Sequence, residues 1–397
     1  MKINIFISSL GGGGAERVVS DIVSSCPPDM DVTVSICSLN NQVYSLNRGE
    51  LIVYNDEKER NIISKLLYHF RPHILFHTYR HYANLRKYKY NLSISFLTYN
   101  NIINLLVSRI VSIPAIVSIR SNLSLTKTDS IVLYYSQKYL VKYLSPYLIV
   151  NSEYNKEDII SNYNINRDKC ICIYNPKNIS LIRDQAKIPI TDDFFDTEDL
   201  IILTVGRLIH EKGHTHLLRI FSKLRQIFPC RLVICGVGEL ESELKQLARD
   251  LKIEDYVLFT GWTDNPYCYM NRADIFAFTS LSEGQPNALI EALICGCPIV
   301  SADCDYGPRE ILADGKYGIL TKKLNDSVIS DPVNDKLTDS EMDMYTNILY
   351  LLEHPEVREH YSKISDERAG AFDHNMIINK YLSVFKAAKE GKMLTDI

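Results

Sequence analysis

What this 397-residue chain lacks narrows its class before any motif is read. No apolar run is clean enough for a membrane helix. The nearest candidate, 101–119, carries Arg109 at its centre, Pro114, and the polar Asn101, Asn104, Ser108 and Ser112, so it reads as a helix followed by a buried strand. No secretory leader is legible, because the apolar part of "MKINIFISSLGGGG" is too short and reads as a first strand. The ten cysteines lack zinc spacing: Cys170/Cys172 and Cys295/Cys297 are Cys-x-Cys pairs without the two-residue gap and second pair. Buried thiols in a reducing cytoplasm are the expectation. There is no internal repeat, no low-complexity segment and little net charge, −4. Nucleic acid is not among the expected partners.

What is present fits a soluble enzyme of two domains. The apolar fraction of 46% and charged fraction of 23% are ordinary, and the length exceeds what one hydrophobic core usually serves. The charge is unevenly placed. Residues 1–182 carry 20 Lys and Arg against 13 Asp and Glu, the remainder 24 against 35. Within the first part, 58–142 holds 13 basic side chains and two acidic ones, Glu59 and Asp129. A basic lobe joined to an acidic lobe implies an anionic partner on one side.

Short β-branched runs alternate with helical patterns along the chain. Strands are expected at 2–8, 32–38, 73–77, 92–97, 115–119, 147–151 and 170–174, then at 200–205, 231–235, 256–260, 274–278 and 298–302. Repeated βα alternation means parallel sheets covered on both faces. Two such series around a polar junction near 175–198 predict an α/β protein of two doubly wound, Rossmann-like domains, 1–182 and 183–372, facing across a cleft. A last helix at 373–390 is free to pack back on the first. Ligands of such sheets sit beyond the carboxyl ends of the strands.

Three motifs occupy those ends. "SSLGGGGAERVV" runs from the first strand into a helix, and its glycines allow close backbone approach to an anion at the helix start. It is not the dinucleotide fingerprint, which needs a glycine where Glu16 stands. "ILTVGRLIHEKGHTHLL" brings Gly206, Arg207 and Lys212 to a strand end, where a guanidinium fork and an ammonium suit a diphosphate. "SLSEGQPNALIEALICGCPIV" sets Glu283 before a Gly284-Gln285-Pro286-Asn287 turn and Glu291 one turn into the following helix. Amides at that helix start suit a phosphate or sugar hydroxyls. Two carboxylates can meet the two hydroxyl-rich ends of one ligand. Metal chemistry is not expected: "DCD" at Asp303 and Asp305 has the Asp-x-Asp form but sits late in the second lobe.

"EGQPNALIE", "VGRLIHEKG", "CGVGELESEL", "GWTDNP" and "SADCDYGPREIL" together resemble retaining glycosyltransferase family four, of the GT-B fold, over nearly the whole chain. They are similar to members that build bacterial surface polysaccharides and lipid-linked oligosaccharides. The resemblance implies a UDP-sugar donor and a polyprenyl-diphosphate-linked saccharide acceptor. It makes Glu283, Arg207 and Lys212 the catalytic set. Arg207 and Lys212 would hold the diphosphate, Glu291 the ribose, and Glu283 the donor sugar. Gly206, Gly236, Gly284, Gln285, Pro286, Asn287, Ala288 and Leu289 complete the donor site, with Gly13 and Gly14 closing over it. Many members carry a histidine after an N-domain strand. Here that place reads "SIRSN", and Arg120 stands as its substitute on the acceptor side. His73, His77 and His81 lie elsewhere and read as packing or surface residues. A same-fold sugar-nucleotide epimerase and a non-catalytic binding subunit are the alternatives. Finally, "YRHYANLRKYKYN" at 79–91 interleaves Arg80, Arg86, Lys87 and Lys89 with Tyr79, Tyr82, Tyr88 and Tyr90, a composition suited to an anionic membrane surface.

Overall fold

The computed structural model describes all residues except 12, 40–42, 56–72, 121–130, 146, 326–328, 330 and 395–397. The chain divides into two units, Met1–Pro176 with Asn375–Ile397, and Lys177–His374. In the first, β1 (Lys2–Ile7), β2 (Asp31–Ile36), β3 (Glu50–Val53), β4 (Leu92–Phe96), β5 (Ala115–Ile119), β6 (Tyr147–Val150) and β7 (Cys170–Cys172) form a sheet ordered β3-β2-β1-β4-β5-β6-β7. Every neighbouring pair is parallel. In the second, β8 (Leu200–Val205), β9 (Cys230–Cys235), β10 (Val257–Gly261), β11 (Ile275–Phe278), β13 (Ile299–Ala302) and β15 (Ile319–Thr321) form a parallel sheet ordered β10-β9-β8-β11-β13-β15. A separate parallel pair joins β12 (Ser282–Glu283) to β14 (Asp305–Tyr306).

Alternation within strands explains the first sheet. Ile3, Ile5 and Ile7 face one side with Val32, Val34, Leu92 and Ile94, packed on helix Gly14–Ser25. The helix His374–Glu390 adds Ile377, Ile378, Tyr381, Val384, Phe385 and Ala388 to that same core. Each of the Ile, Val and Phe side chains is worth about 1.5–3 kcal/mol when fully buried, so this last helix belongs structurally to the first unit. The opposite face is polar though buried. Asn4 donates to Ser93 (3.1 Å), Ser35 donates to Asn4 (2.6 Å), and Asn84 donates to Ser35 (2.8 Å). Asn104 donates to Ser95 (3.1 Å) and Ser108 donates to Asn104 (3.0 Å).

Two differences from the sequence reading have local causes. The run 73–77, expected as a strand, opens the helix Ile74–Tyr88. A short apolar run does not distinguish strand from helix, and here His77, His81, Asn84 and Leu85 are buried while Leu75 is exposed, the i, i+4, i+7, i+8 spacing of a helix face. The units divide after Pro176 and after His374, not after 182 and 372. Lys177 is held by the returning segment: its amide donates to the Phe372 carbonyl (2.8 Å) and its carbonyl accepts from the His374 amide (3.0 Å). Two histidines of the first unit pack. His81 is fully buried, bonded to Tyr54 (2.8 Å) and stacked on Phe6, and His77 meets Tyr99 (2.8 Å) and Asn55 (3.0 Å). Burial drives both imidazoles down to about 4, so they are neutral.

Candidate active site

Each sheet has one place where successive connections turn in opposite directions. In the second sheet it lies between β8 and β11, with β9 and β10 to one side and β13 and β15 to the other. Such a switch point leaves a crevice outside the carboxyl ends of its two strands. The loop after β8 carries Gly206, Arg207 and Lys212, and the loop after β11 leads to Glu283.

Backbone contacts stitch these loops together. The Leu281 amide donates to the Glu211 carbonyl (2.8 Å), and the Thr279 hydroxyl donates to the Lys212 carbonyl (2.9 Å). Gly213 adopts φ +65°, and a Cβ there would collide with the Thr279 carbonyl. Gly236, at φ +143°, presses on the Gly206 carbonyl in the same way. Only glycine combines that backbone with that approach. The Lys212 stem then lies along Gly206, and its ammonium forms an ion pair with Glu283. Both side chains are partly exposed, 21% and 16%. Arg207 is exposed at the same strand end, and no ion pair to it is found among the described residues.

The two glutamates of the motif are placed differently. Glu283 lies at the rim on β12, whereas Glu291 is 5% exposed inside the helix Asn287–Ile294. Pro286 caps that helix, and its first amides, including those of Asn287, Ala288 and Leu289, lack carbonyl partners within the helix by geometry. They are the amides expected to receive an anion. Glu291 pairs with Lys177, whose side chain is fully buried, at 2.6 Å. The turn of Gly284, Gln285 and Pro286 is supported from beneath: β14 pairs with β12, and Gly307 packs against Pro286 and the Gly284 carbonyl.

Asp303 pairs with Arg309 and Asp305 with Lys323 (2.6 Å). Among the described residues no group of three or more His, Cys, Asp or Glu could hold a metal ion. All ten cysteines are free.

The first sheet switches direction between β1 and β4. Gly13 precedes the helix that Gly14 opens, and Glu16 follows in its first turn. Burial raises the Glu16 carboxyl, opposed by its own backbone hydrogen bond and by the charge of Arg120. Arg120 therefore shares a neighbourhood with the glycine loop. It donates to the Tyr381 hydroxyl (3.0 Å), while its other terminal nitrogen is buried without a hydrogen-bond partner among the described residues. Leu97, at the end of β4, has φ +71°, a strained value for leucine.

The sequence reading missed Lys177, Glu16, Thr279 and Leu97. A lysine between Pro176 and Asn178 in "NPKN" was the available signal for the first. The other three signal nothing without coordinates.

Two parallel Rossmann-like sheets with these loops at their strand ends define the GT-B class. The chain belongs to the group 1 glycosyltransferases: residues 190–348 match the family described as "Glycosyl transferases group 1". Over 94% of its length it is 30% identical to a Campylobacter jejuni protein, of which 96% is covered. That protein is the N-acetylgalactosamine-N,N'-diacetylbacillosaminyl-diphospho-undecaprenol 4-alpha-N-acetylgalactosaminyltransferase. Among solved structures, Anabaena HepE in complex with UDP is similar with TM-score 0.76 at 18% identity, covering 98% of this chain and 100% of that one. Sucrose-phosphate synthase of Thermosynechococcus elongatus is similar with TM-score 0.76 at 15% identity, covering 99% and 100%.

Proposed function

We propose that the protein is a retaining glycosyltransferase that moves a hexosyl or N-acetylhexosaminyl group from a UDP-sugar to a polyprenyl-diphosphate-linked saccharide, without a metal. The observation that carries this reading is the Lys212–Glu283 ion pair at the switch point, beside the exposed Arg207 and the start of helix Asn287–Ile294. An arriving donor exchanges partners there. Its diphosphate takes Lys212 and Arg207, and Glu283 is released to accept hydrogen bonds from the sugar. As the bond from the anomeric carbon to the diphosphate breaks, negative charge grows on the leaving oxygens, where cations and amides stabilise it most. The acceptor hydroxyl attacks on the same face and its proton passes to the departing phosphate. The relative from Campylobacter, named for transfer to a diphospho-undecaprenol saccharide, supports this acceptor class.

The test is UDP release with and without lipid-diphosphate saccharides over a panel of UDP-sugars, with mass and anomeric configuration of the products determined. Acceptor-dependent release with retained configuration is expected. Inversion, or conversion of the sugar nucleotide with no acceptor, overturns the reading.

We further propose peripheral binding to the inner face of the cytoplasmic membrane through the first unit. No helix among the described residues is long and apolar enough to cross a membrane. The helices Ile74–Tyr88, Thr98–Val111 and Ile131–Leu144 carry no Asp or Glu, and Arg86, Lys87 and Arg109 are exposed on them. Tyr90, expected among the interfacial tyrosines, is instead buried and donates to Asn84 (3.3 Å). The exposed aromatic stripe is Tyr135, Tyr139 and Tyr143, on the helix Ile131–Leu144. Lys58, Arg60, Lys65, Arg71 and Lys127 of the basic region lie outside the described residues. Sedimentation with anionic vesicles at low salt is expected, with loss on changing Arg86, Lys87 and Lys89 together to Glu. Vesicle binding that survives this triple change removes the segment from the proposal.

A further inference from the structure

Lys177 is among the largest fully buried side chains of the protein, and no reading of the motifs gave it a task. Burying an ammonium is expensive unless it is paired, and replacing a buried ion pair by apolar residues of similar size is often neutral or stabilising. Packing alone therefore does not call for a lysine here. What the lysine does hold is specific. Its Nζ lies 2.6 Å from Oε1 of Glu291, whose own side chain is 7% exposed. The two residues are 114 positions apart, so the contact joins the start of the second unit to the helix Asn287–Ile294.

The backbone of Lys177 is equally constrained. It is the first residue of the second unit, and it forms a parallel bridge with Asp373, one residue before the chain's return. The Phe372 carbonyl accepts from its amide and its own carbonyl accepts from His374. One residue thus clamps the outgoing and returning segments together and grips the carboxylate at the nucleotide end of the candidate site.

We propose that Lys177 is a positioning residue for donor binding: it fixes the Glu291 carboxylate for the donor's ribose hydroxyls and ties that carboxylate to both segments joining the units. The inference rests on Glu291 as the ribose ligand. A carboxylate with free rotamers would pay ordering entropy each time a diol bound, and the buried ammonium removes that cost in advance. The hold also means that movement of Glu291 on binding UDP is felt at the amides of Lys177 and His374.

The experiment compares Lys177→Met, Lys177→Arg, Glu291→Gln and the double variant Lys177→Met/Glu291→Gln. Calorimetry with UDP, steady-state kinetics in the UDP-sugar and thermal melting are the readouts. Lys177→Met should raise the UDP Kd and donor KM about 10- to 100-fold, as when an outer group orienting a ligating side chain is removed, with kcat changed less than about threefold. Lys177→Arg should recover most of the affinity. The double variant should melt above Lys177→Met, because the uncompensated carboxylate is gone, yet bind UDP no better. In the wild type, saturating UDP should slow hydrogen exchange at Lys177 and His374, a measurement that needs no variant to fold. A wild-type UDP Kd in a destabilised Lys177→Met, or exchange at those amides unmoved by UDP, overturns the inference. Unchanged UDP affinity in Glu291→Gln overturns the ribose reading instead. Weakened affinity in Glu291→Gln with none in Lys177→Met leaves that reading standing and removes Lys177 alone.

Discussion

In the first unit one face of the sheet meets its helices through Asn4, Ser35, Ser93 and Ser95, whereas the second sheet offers its helices Ile202, Leu232, Ile234 and Val300. Both are parallel, and both are buried. The polar interior is held by hydrogen bonds among Asn4, Ser35, Tyr54, His81, Asn84 and Asn104. Each is worth about 0.5–1.5 kcal/mol net, but an orphaned member costs more. Such an interior fixes geometry closely and tolerates little loss. Among the described residues, the apolar interior of the second unit concentrates its buried charge in the Lys177–Glu291 pair and in one larger cluster. Glu341 caps the helix Asp339–Glu353 and accepts from Arg219 (2.8 Å) and His216 (2.9 Å). Burial alone would push this carboxyl up, yet the bonds from His216 and Arg219 outweigh it and hold it at about 2. The lesson is that one topology is stabilised either by a dispersed polar web or by oil and a few buried ionic clasps, the Glu341 cluster being larger than the Lys177–Glu291 pair.

The largest blow to that contrast comes from breaking the larger clasp. Glu341→Ala leaves Arg219 buried without its partner and should cost the second unit about 3–5 kcal/mol in urea unfolding. A loss below about 1 kcal/mol would mean that the cluster is ornamental. Next in size is a change in the site that the second unit carries. On the proposed mechanism Lys212→Ala or Arg207→Ala removes a donor worth about 2–4 kcal/mol in the transition state, so kcat should fall roughly 10²- to 10³-fold. Turnover within about threefold of wild type for either would remove it from the site.

The same site gives a finer split between its two glutamates. Glu283→Ala should act mainly on kcat, because in the proposed mechanism Glu283 holds the sugar whose bond breaks. Glu291→Ala should act mainly on donor KM, because the ribose contact proposed for it is equal before and at the transition state. Reversed effects would exchange their assignments.

Acid probes the polar web. His81 is neutral when folded at about 4, and it binds a proton far more readily once unfolded. Its contribution is therefore complete above the unfolded value near 6.5 and falls as pH drops from there toward 4, by about 2 kcal/mol between pH 7 and pH 5. Glu341, in contrast, keeps its stabilising charge until pH falls below about 4.5 and loses it toward 2. Burial lowers His214 of the second unit to about 4 as well. Calorimetric melts at the two pH values, with peptide-level exchange to tell the units apart, should therefore show the first unit, with His77 and His81, weakening more than the second. The smallest expected effect is none. Activity should persist in EDTA, and a strict need for a divalent ion would return Asp303 and Asp305 to consideration.

Much of this was legible without coordinates because strand pattern and loop chemistry are local. The β8, β9 and β11 runs are built mostly of Ile, Leu, Val and Phe, and the strands stand where the pattern put them. Short strands were harder. β3 and β15, four and three residues long, were not recognised, and β12 and β14 are two residues long, too short for any periodicity. The candidate site splits similarly. The loop motifs brought Gly206, Lys212 and Glu283 together, as the spacing implied. Lys177 met Glu291 across 114 positions, a contact no window of sequence contains.

The membership of helix His374–Glu390 in the first unit bears on how the protein is made. A ribosome delivers the first sheet early and the helix that completes its core last, roughly 10–40 seconds later at common synthesis rates. Throughout that interval Ile3, Ile5, Val34 and Ile94 wait for the side chains of Tyr381 and Phe385. The second unit has all its own segments first. The part encoded second is thus the first able to finish folding, and the nascent first unit is where a holding chaperone would be needed.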